Sequence, residues 1–132
     1  VMAEGAEGVL TLPADAPLAT AAEIESALAR HPMTRPAMTI VPDQARRGSN
    51  CLILTPGDLI PLHFGHVSFA PHLAEAERRG VSPHILDDLP GIALDVDTPA
   101  DLAAALATGR DTRATAYARA HGIAARLAAG SS

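Results

Sequence analysis

Asp95 and Asp97 form the pattern in this sequence with the most direct chemical meaning. Residues two positions apart in a strand point to the same side, so both carboxylates can face one ligand while Val96 faces the protein interior. Two carboxylates about 7 Å apart along a strand repel each other unless a cation lies between them. The pair therefore predicts a Mg²⁺ site. The alternative interpretation is a solvated strand end.

A helix start follows this pair directly. Thr98 is a suitable N-cap, Pro99 suits the first helical position, and Asp101 completes a pattern resembling a capping box, in which Glu or Gln is usual. These residues predict a helix over 99–107. The site and the helix start thus share one short segment.

Asp15 is a third candidate ligand. It follows the apolar run at residues 9–12, which we predict to be a buried strand. Ligands in open α/β sheets bind beyond the carboxyl ends of strands. If the strands that carry Asp15 and Asp95 are neighbours, Asp15, Asp95 and Asp97 converge on one Mg²⁺, with water and phosphate oxygens as further ligands. The alternative is that Asp15 is an ordinary turn residue between two prolines.

Composition limits the possible classes of protein. The 132 residues suffice for one modest domain, with 48% hydrophobic but only 2% aromatic residues, which predicts a core of small aliphatic side chains. A net charge of −5 without a basic block argues against a nucleic-acid partner. No apolar run approaches the roughly 20 residues of a membrane span, and no signal peptide is visible. Cys51 is the only cysteine, which excludes an internal disulfide and is typical of the reducing cytoplasm.

Strand and helix signals alternate along the chain, which predicts an α/β layered domain with a mostly parallel sheet. The predicted strands cover residues 9–12, 38–41, 51–54, 81–86 and 93–96. Helices are predicted from a capping box at Thr20 to about Arg30, from Ser68 to about Arg79, over 99–107, and over 112–129 with an interruption at Gly122, with a short helical turn at 58–62.

Four motifs resemble, in their order, the 2-phospho-L-lactate guanylyltransferase family, and the resemblance covers about Gly8 to Leu106. The motifs lie at residues 12–18, 48–50, 64–73 and 94–102. The resemblance implies a GT-A-like nucleotidyltransferase fold of the Rossmann type. It also implies that GMP from GTP is joined to 2-phospho-L-lactate or phosphoenolpyruvate, with release of pyrophosphate, in the biosynthesis of coenzyme F-420.

The resemblance assigns six residues to two groups. Metal binding and catalysis fall to Asp15, Asp95 and Asp97, and binding of the acceptor's phosphate or carboxylate falls to Ser49, Gly65 and Ser68. Ser49 stands where the family usually has threonine, and it keeps the hydroxyl. Because free N–H groups at a helix start attract anions, Ser68 also suits this role on physical grounds. The alternative for Ser68 is a plain N-cap.

Two residues of the third motif depart from the family pattern: Val67 occupies a position that is commonly glycine, and His66 replaces a common proline. His72 lies four residues after Ser68 and matches a common family histidine, for which we predict a structural hydrogen bond rather than catalysis. Arg46 and Arg47 either contact phosphates or are merely solvated. The remaining histidines lack metal-ligand spacing, and Cys51 is predicted to lie in the core.

The family's enzymes begin with a strand and a nucleotide loop containing glycine and lysine, and residues 1–8 look instead like the end of a helix stopped by glycines. We therefore expect the carboxy-terminal part of such an enzyme: residues 1–110 as the acceptor- and metal-binding part, and residues 111–132 as a terminal helix. We expect the sheet edge near residues 9–12 to be uncovered or to be covered by another polypeptide, and a homo-oligomer is one expected arrangement. We also expect the chain alone to lack guanylyltransferase activity.

Two alternatives remain open at this point. One is a different nucleotidyltransferase, such as a molybdopterin cytidylyl- or guanylyltransferase, which would share the Asp15 region but is disfavoured by the motifs around Ser49 and Ser68. The other is a non-catalytic, anion-binding fragment.

Overall fold

The computed structural model describes residues 5–63, 65 and 67–130. In this part of the chain the strands are β1 (Val9–Thr11), β2 (Ala37–Pro42), β3 (Ser49–Thr55) and β4 (His84–Ile85). The helices are α1 (Ala21–Arg30), α2 (Phe69–Arg78), α3 (Pro90–Ala93), α4 (Pro99–Ala107), α5 (Arg113–Ala120) and α6 (Ile123–Gly130). The helix end expected at residues 1–8 lies partly outside the described residues.

The four strands form one sheet in the order β1-β3-β2-β4. β1 and β2 both pair antiparallel with β3, and only β4 is parallel to its neighbour β2. The α/β class is therefore confirmed, but the prediction of a mostly parallel sheet is wrong. Residues 43–48 join β2 to β3, and so short a connection can only reverse the chain, since a parallel pair needs a crossover of a dozen or more residues.

Hydrophobic layers cover both faces of the central strands. Met38, Ile40, Leu52 and Leu54 pack with α2 on one face. On the other face, a second group of side chains packs with α1 and α3: Ala27, Val41, Cys51, Ile53 and Ile92. The predicted core position of Cys51 is confirmed, and burial raises the pKa of its thiol to about 11.

The predicted strand at 93–96 is absent, because Ala93 ends a helix and residues 94–97 belong to neither a helix nor a strand. Pro90 begins α3 instead, and the Glu23 carboxylate accepts hydrogen bonds from the N–H groups of Gly91 at 2.9 Å and Ile92 at 3.4 Å. A carboxylate from a distant helix thus caps this helical turn, which no local pattern could reveal. The predicted strand at 81–86 shortens to β4, and residues 58–62 form turns and bends rather than a helical turn.

The helices predicted to begin after Thr20, Ser68, Thr98 and Thr112 are confirmed, although the hydrogen bonds at the starts of α1 and α2 differ from the expected caps. Thr98 and Asp101 form a reciprocal capping box at α4. At α1 the Thr20 hydroxyl accepts the Glu23 N–H, but the Glu23 side chain turns away to α3 and to Arg110, which lies 2.7 Å from it. A Cβ on Gly91 would lie only 2.1 Å from a Glu23 oxygen, so this junction requires glycine.

The terminal helical segment breaks where expected. Gly122, with φ of +61°, separates α5 from α6. β1 lies at one edge of the sheet among the described residues, as expected for the strand near residues 9–12. No helix in the described part of the chain is long and apolar enough to cross a membrane.

Candidate functional site

The three predicted aspartates converge. Each of Asp15, Asp95 and Asp97 places a carboxylate oxygen within 4.8 Å of the corresponding oxygens of the other two. Asp95 is half-buried, while Asp15 and Asp97 are exposed. Three carboxylates this close repel one another in the absence of a counter-charge, so the cluster suits a cation. The predicted geometry is confirmed, and the role in metal binding stays a prediction.

The convergence arises without the predicted strand. Asp95 and Asp97 bring their carboxylates to the same side, while Val96 packs against the small apolar cluster of Leu18, Leu94 and Ala105. The Val96 N–H donates to the carbonyl of Asp15 at 2.9 Å, which joins the two aspartate-bearing segments directly. One hydrogen bond between loops thus does what neighbouring strands were expected to do.

Asn50 holds Asp95 in place, a role that was not predicted from the sequence. Its buried side-chain amide donates to the Ile92 carbonyl at 3.0 Å and to an Asp95 carboxylate oxygen at 3.2 Å. Val41 pairs with Cys51 and Pro42 with Ser49, so Asn50 is the extra residue of a register shift. Such bulges redirect side chains. An amide side chain at the start of an apolar strand was the signal that the sequence offered.

The three residues predicted to bind the acceptor, Ser49, Gly65 and Ser68, line one cavity with the aspartates. This cavity has a volume of about 220 Å³, and its wall includes Asp15, Asp95, Asp97, Ser49, Gly65, Ser68, Asp43, Asn50, His63 and His72. The prediction that Ser49, Gly65 and Ser68 face the three aspartates across one concavity is confirmed. Whether the cavity binds the acceptor stays a prediction.

Ser68 is not a plain N-cap. It precedes α2, but its hydroxyl makes no capping bond and instead accepts the Ser49 N–H at 2.9 Å. The expectation that N–H groups at the start of α2 face the cavity is wrong at two positions, because the Phe69 N–H donates to the Arg47 carbonyl at 2.9 Å and Pro71 has no N–H. The hydroxyls of Ser49 and Ser68 therefore remain the candidate polar groups for the acceptor on this wall.

His72 connects this wall to the preceding loop. The ring is 1% exposed, with Nδ1 at 2.7 Å from the Ser49 Oγ and Nε2 accepting the backbone N–H of His63 at 2.9 Å. The predicted structural hydrogen bond of His72 is therefore confirmed. Burial lowers the pKa of His72, the neighbouring His63 lowers it further, and Glu75 opposes the shift. The ring is thus held neutral near physiological pH.

Asp43 organises the loop before Ser49. Its two carboxylate oxygens accept the N–H groups of Arg47 and Gly48, each at 2.9 Å. A Cβ on Gly48 would lie 2.9 Å from an Asp43 oxygen, so glycine permits this close contact. Gly65, which also lines the cavity, has φ of +135°, a conformation that favours glycine.

The two arginines of this loop differ. Arg46 pairs with Asp87, and its guanidinium lies 5.3 Å from the centre of the Phe69 ring, so it is engaged within the protein. Arg47 lines a second cavity of about 330 Å³, which shares Asp43, Asp95 and Asp97 with the first. A phosphate contact by Arg47 stays a prediction.

Of the two departures from the family pattern in the third motif, the structure describes one. Val67 is exposed and does not adopt a positive φ. His66 and Phe64 lie outside the described residues. His31 is far from the site, and its ring nitrogens each lie 2.8 Å from a hydroxyl, those of Thr39 and Thr55.

Comparison with known proteins identifies a family for the chain. A family model described as "Guanylyl transferase CofC like" matches residues 1–132. The chain is 43% identical over 106 residues to a phosphoenolpyruvate guanylyltransferase of Rubrobacter xylanophilus, covering 80% of this chain and 51% of that protein.

Two further relatives carry the same name and a second name, respectively. The chain is 41% identical over 98 residues to a phosphoenolpyruvate guanylyltransferase of Sphaerobacter thermophilus, covering 74% of this chain and 46% of the relative. It is 33% identical over 115 residues to a 2-phospho-L-lactate guanylyltransferase of Methanocaldococcus jannaschii, covering 87% of this chain and 50% of the relative. The chain thus spans about half the length of the curated relatives it matches.

Proposed function

The chain belongs to the CofC-like guanylyl transferase family, and on this premise we propose that it forms the acceptor- and metal-binding part of a GTP-dependent guanylyltransferase. The acceptor is phosphoenolpyruvate or 2-phospho-L-lactate, the products are the guanylylated acid and pyrophosphate, and the pathway is that of coenzyme F-420. The observation that carries this proposal is the single cavity in which three carboxylates face two serine hydroxyls. A GT-A-like fold for the whole enzyme is part of the same proposal.

The carboxylate cluster fits Mg²⁺. Asp15, Asp95 and Asp97 offer hard oxygen ligands within 4.8 Å of one another, and the cavity beside them leaves space for water and phosphate oxygens. Asn50 fixes one of the three carboxylates, as metal ligands are usually fixed by an outer hydrogen bond. A bound Mg²⁺ would cancel the repulsion between the acceptor's phosphate and the triphosphate of GTP.

The reaction requires positioning more than proton transfer. A phosphate monoester loses its second proton near about pH 6, so the acceptor's phosphate is largely ionised at neutral pH and attacks the α-phosphorus of GTP without a general base. Ser49 and Ser68 would hold the acceptor's anionic groups by hydrogen bonds from their hydroxyls. Arg47, in the adjoining cavity, would lie close to the leaving pyrophosphate.

Calorimetric titration tests the acceptor site in this chain. We expect phosphoenolpyruvate or 2-phospho-L-lactate to bind in the presence of Mg²⁺ and to bind much more weakly after chelation. Pyruvate, which lacks the phosphate, is the matched control ligand. Tight binding that persists without Mg²⁺ would instead favour an anion-binding module.

Nucleotidyl transfer is tested by pyrophosphate release with GTP and each acceptor, in this chain and in the complete polypeptide encoded by its gene. We expect turnover by the complete polypeptide with GTP. A preference for CTP, or turnover only with a pterin acceptor, would favour the molybdopterin-type alternative. The two acceptors differ by little more than a methyl or methylene group, a difference worth only about 1–3 kcal/mol in a pocket, so their relative rates must be measured.

A further inference from the structure

His72 lies between the two serines of the cavity and the loop that carries Gly65. Its ring is almost fully buried, and both ring nitrogens have a partner: the Ser49 hydroxyl on one side and the His63 backbone on the other. A backbone N–H can only donate, so Nε2 must be the acceptor and carry no proton. Because a neutral imidazole has one N–H, that proton lies on Nδ1.

This tautomer determines how Ser49 can act. Nδ1–H of His72 donates to the Ser49 Oγ at 2.7 Å. A hydroxyl has one proton to donate and two lone pairs to accept with. With a lone pair of Ser49 occupied from inside the protein, its hydroxyl proton is left for a group in the cavity that the side chain lines.

Ser68 is arranged in the same way by a different donor. The Ser49 backbone N–H donates to the Ser68 Oγ at 2.9 Å, and Ser68 is 4% exposed. Both hydroxyls therefore accept a hydrogen bond from the protein. Two hydroxyls that accept on the protein side and donate towards the cavity suit an anion with acceptor oxygens only.

We propose that His72 is a positioning residue that makes the Ser49 hydroxyl a hydrogen-bond donor to the acceptor's anionic group. This inference rests on the proposed function, because it requires that the cavity binds the phosphorylated acid. Both ring nitrogens of His72 are engaged within the protein, so neither is left to bond the ligand. His72 acts through Ser49.

The surroundings of the ring favour the neutral form, in which Nε2 accepts the His63 N–H while Nδ1–H donates to Ser49. Burial and the nearby His63 lower the pKa of His72, and the half-buried Glu75 is the charged group that opposes them. A proton on Nε2 would face the His63 N–H and break that hydrogen bond. Protonation keeps the Nδ1–H donor but opposes the His63 N–H, so we expect the ring to shift away from Ser49 and acceptor affinity to fall when acidic conditions force a proton onto it.

Two substitutions separate the nitrogens of His72. In His72→Asn the side-chain amide nitrogen can take the place of Nδ1 and still donate to Ser49. In His72→Gln the amide oxygen can take the place of Nε2 and still accept from His63. We expect His72→Gln to weaken phosphoenolpyruvate binding in the presence of Mg²⁺ about tenfold, corresponding to about one lost oriented hydrogen bond to a charged group, and His72→Asn to weaken it clearly less.

A double-mutant cycle distinguishes positioning from general support of the fold. In a Ser49→Ala background we expect His72→Gln to have no further effect on affinity, because the hydroxyl that it orients is gone. His31→Gln is the matched control. Both ring nitrogens of His31 are also hydrogen-bonded, in its case to two hydroxyls away from the cavity, so this substitution should lower the unfolding temperature and leave affinity unchanged.

Nitrogen NMR of the His72 ring gives a readout independent of the ligand. We expect a protonated Nδ1 and an unprotonated Nε2. A protonated Nε2, equal losses in His72→Gln and His72→Asn, or additive losses in the cycle would overturn the role of His72 while leaving the proposed function intact. Failure of the unsubstituted chain to bind either phosphorylated acid with Mg²⁺ would overturn the proposed function and this inference with it.

Discussion

The two walls of the cavity are built in opposite ways. On the serine wall, Ser49, Ser68 and His72 are bonded to one another and to backbone, and Ser68 and His72 are buried. On the aspartate wall, Asp15 and Asp97 are exposed, and Asn50 fixes Asp95. The serine wall is preorganised by the fold, whereas the aspartate wall gathers carboxylates that repel one another, and it is there that we propose a cation. Substitutions should therefore affect stability on one wall and metal affinity on the other.

The largest expected effect on binding comes from the aspartate wall. Asp97→Asn keeps the shape of the side chain but removes a charge from the cluster, so we expect Mg²⁺-dependent binding of phosphoenolpyruvate to weaken by at least about tenfold, or about 1.4 kcal/mol. The unfolding temperature should hardly change, because Asp97 is exposed. Calorimetry and thermal unfolding measure the two effects.

The control for this substitution is Asp58→Asn, an exposed carboxylate outside the cavity wall. It should leave both quantities unchanged. A large loss of stability in Asp97→Asn, with affinity retained, would reverse the assignment of this wall.

Asn50→Ala is expected to affect both quantities, because Asn50 joins the aspartate wall to the core. Loss of its bond to Asp95 should weaken Mg²⁺ affinity by about 10- to 100-fold, as for other outer hydrogen bonds to metal ligands. Loss of its bond to the Ile92 carbonyl should also cost about 1–3 kcal/mol of unfolding free energy. Urea unfolding with and without Mg²⁺ separates the two; unchanged metal affinity would show that Asp95 needs no support.

Ser68→Ala tests the serine wall. It leaves the Ser49 N–H without its acceptor, so we expect a loss of about 1–3 kcal/mol in unfolding free energy, together with weaker acceptor binding. Ser82→Ala, at an exposed serine outside the cavity, is the control. If stability falls but calorimetry shows normal affinity, the serine wall supports the fold and does not bind the ligand.

These differences mark what sequence could reveal. Local rules placed the helix starts at Thr20 and Thr98, and the two-residue spacing placed Asp95 and Asp97 on one side even though they are not in a strand. The direction of β3 was also available from the short connection after β2, which the alternation of elements obscured. The features that could be predicted depend on residues close to one another in the chain.

The features that were missed depend on partners far along the chain. Glu23 accepts a hydrogen bond from the first turn of α3, 68 residues further along the chain, and Asn50 donates one to Asp95, 45 residues further along. A sequence shows that a residue can donate or accept, but not which distant group it will meet after folding. The hydroxyl of Ser68 illustrates this, because its helix-start position predicted a cap while its partner is the backbone of β3.

The smallest expected effect concerns pH. Burial lowers the pKa of both His31 and His72, so the unfolded chain binds protons below about pH 6.5 that the folded protein still excludes. Stability should therefore fall as the pH is lowered from about 7 through this range, and each of His31→Gln and His72→Gln should reduce the slope.

Urea unfolding across this pH range measures the effect. Only His72→Gln should also change the pH dependence of acceptor affinity, since His31 lies away from the cavity. An identical change in both variants would remove the distinction between the cavity histidine and its counterpart.

The burial of Cys51 gives the molecule a built-in reporter of its own opening. The thiol lies in the central strand β3, shielded on its face by α1 and α3, and it keeps its proton because its pKa is about 11. A thiol-specific reagent attacks the thiolate, so the folded state should be inert and labelling should wait for β3 to be exposed. The labelling rate at Cys51 would thus measure how often the sheet opens. Slower labelling in the presence of Mg²⁺ and acceptor would show that the cavity is occupied, although the reagent does not enter it.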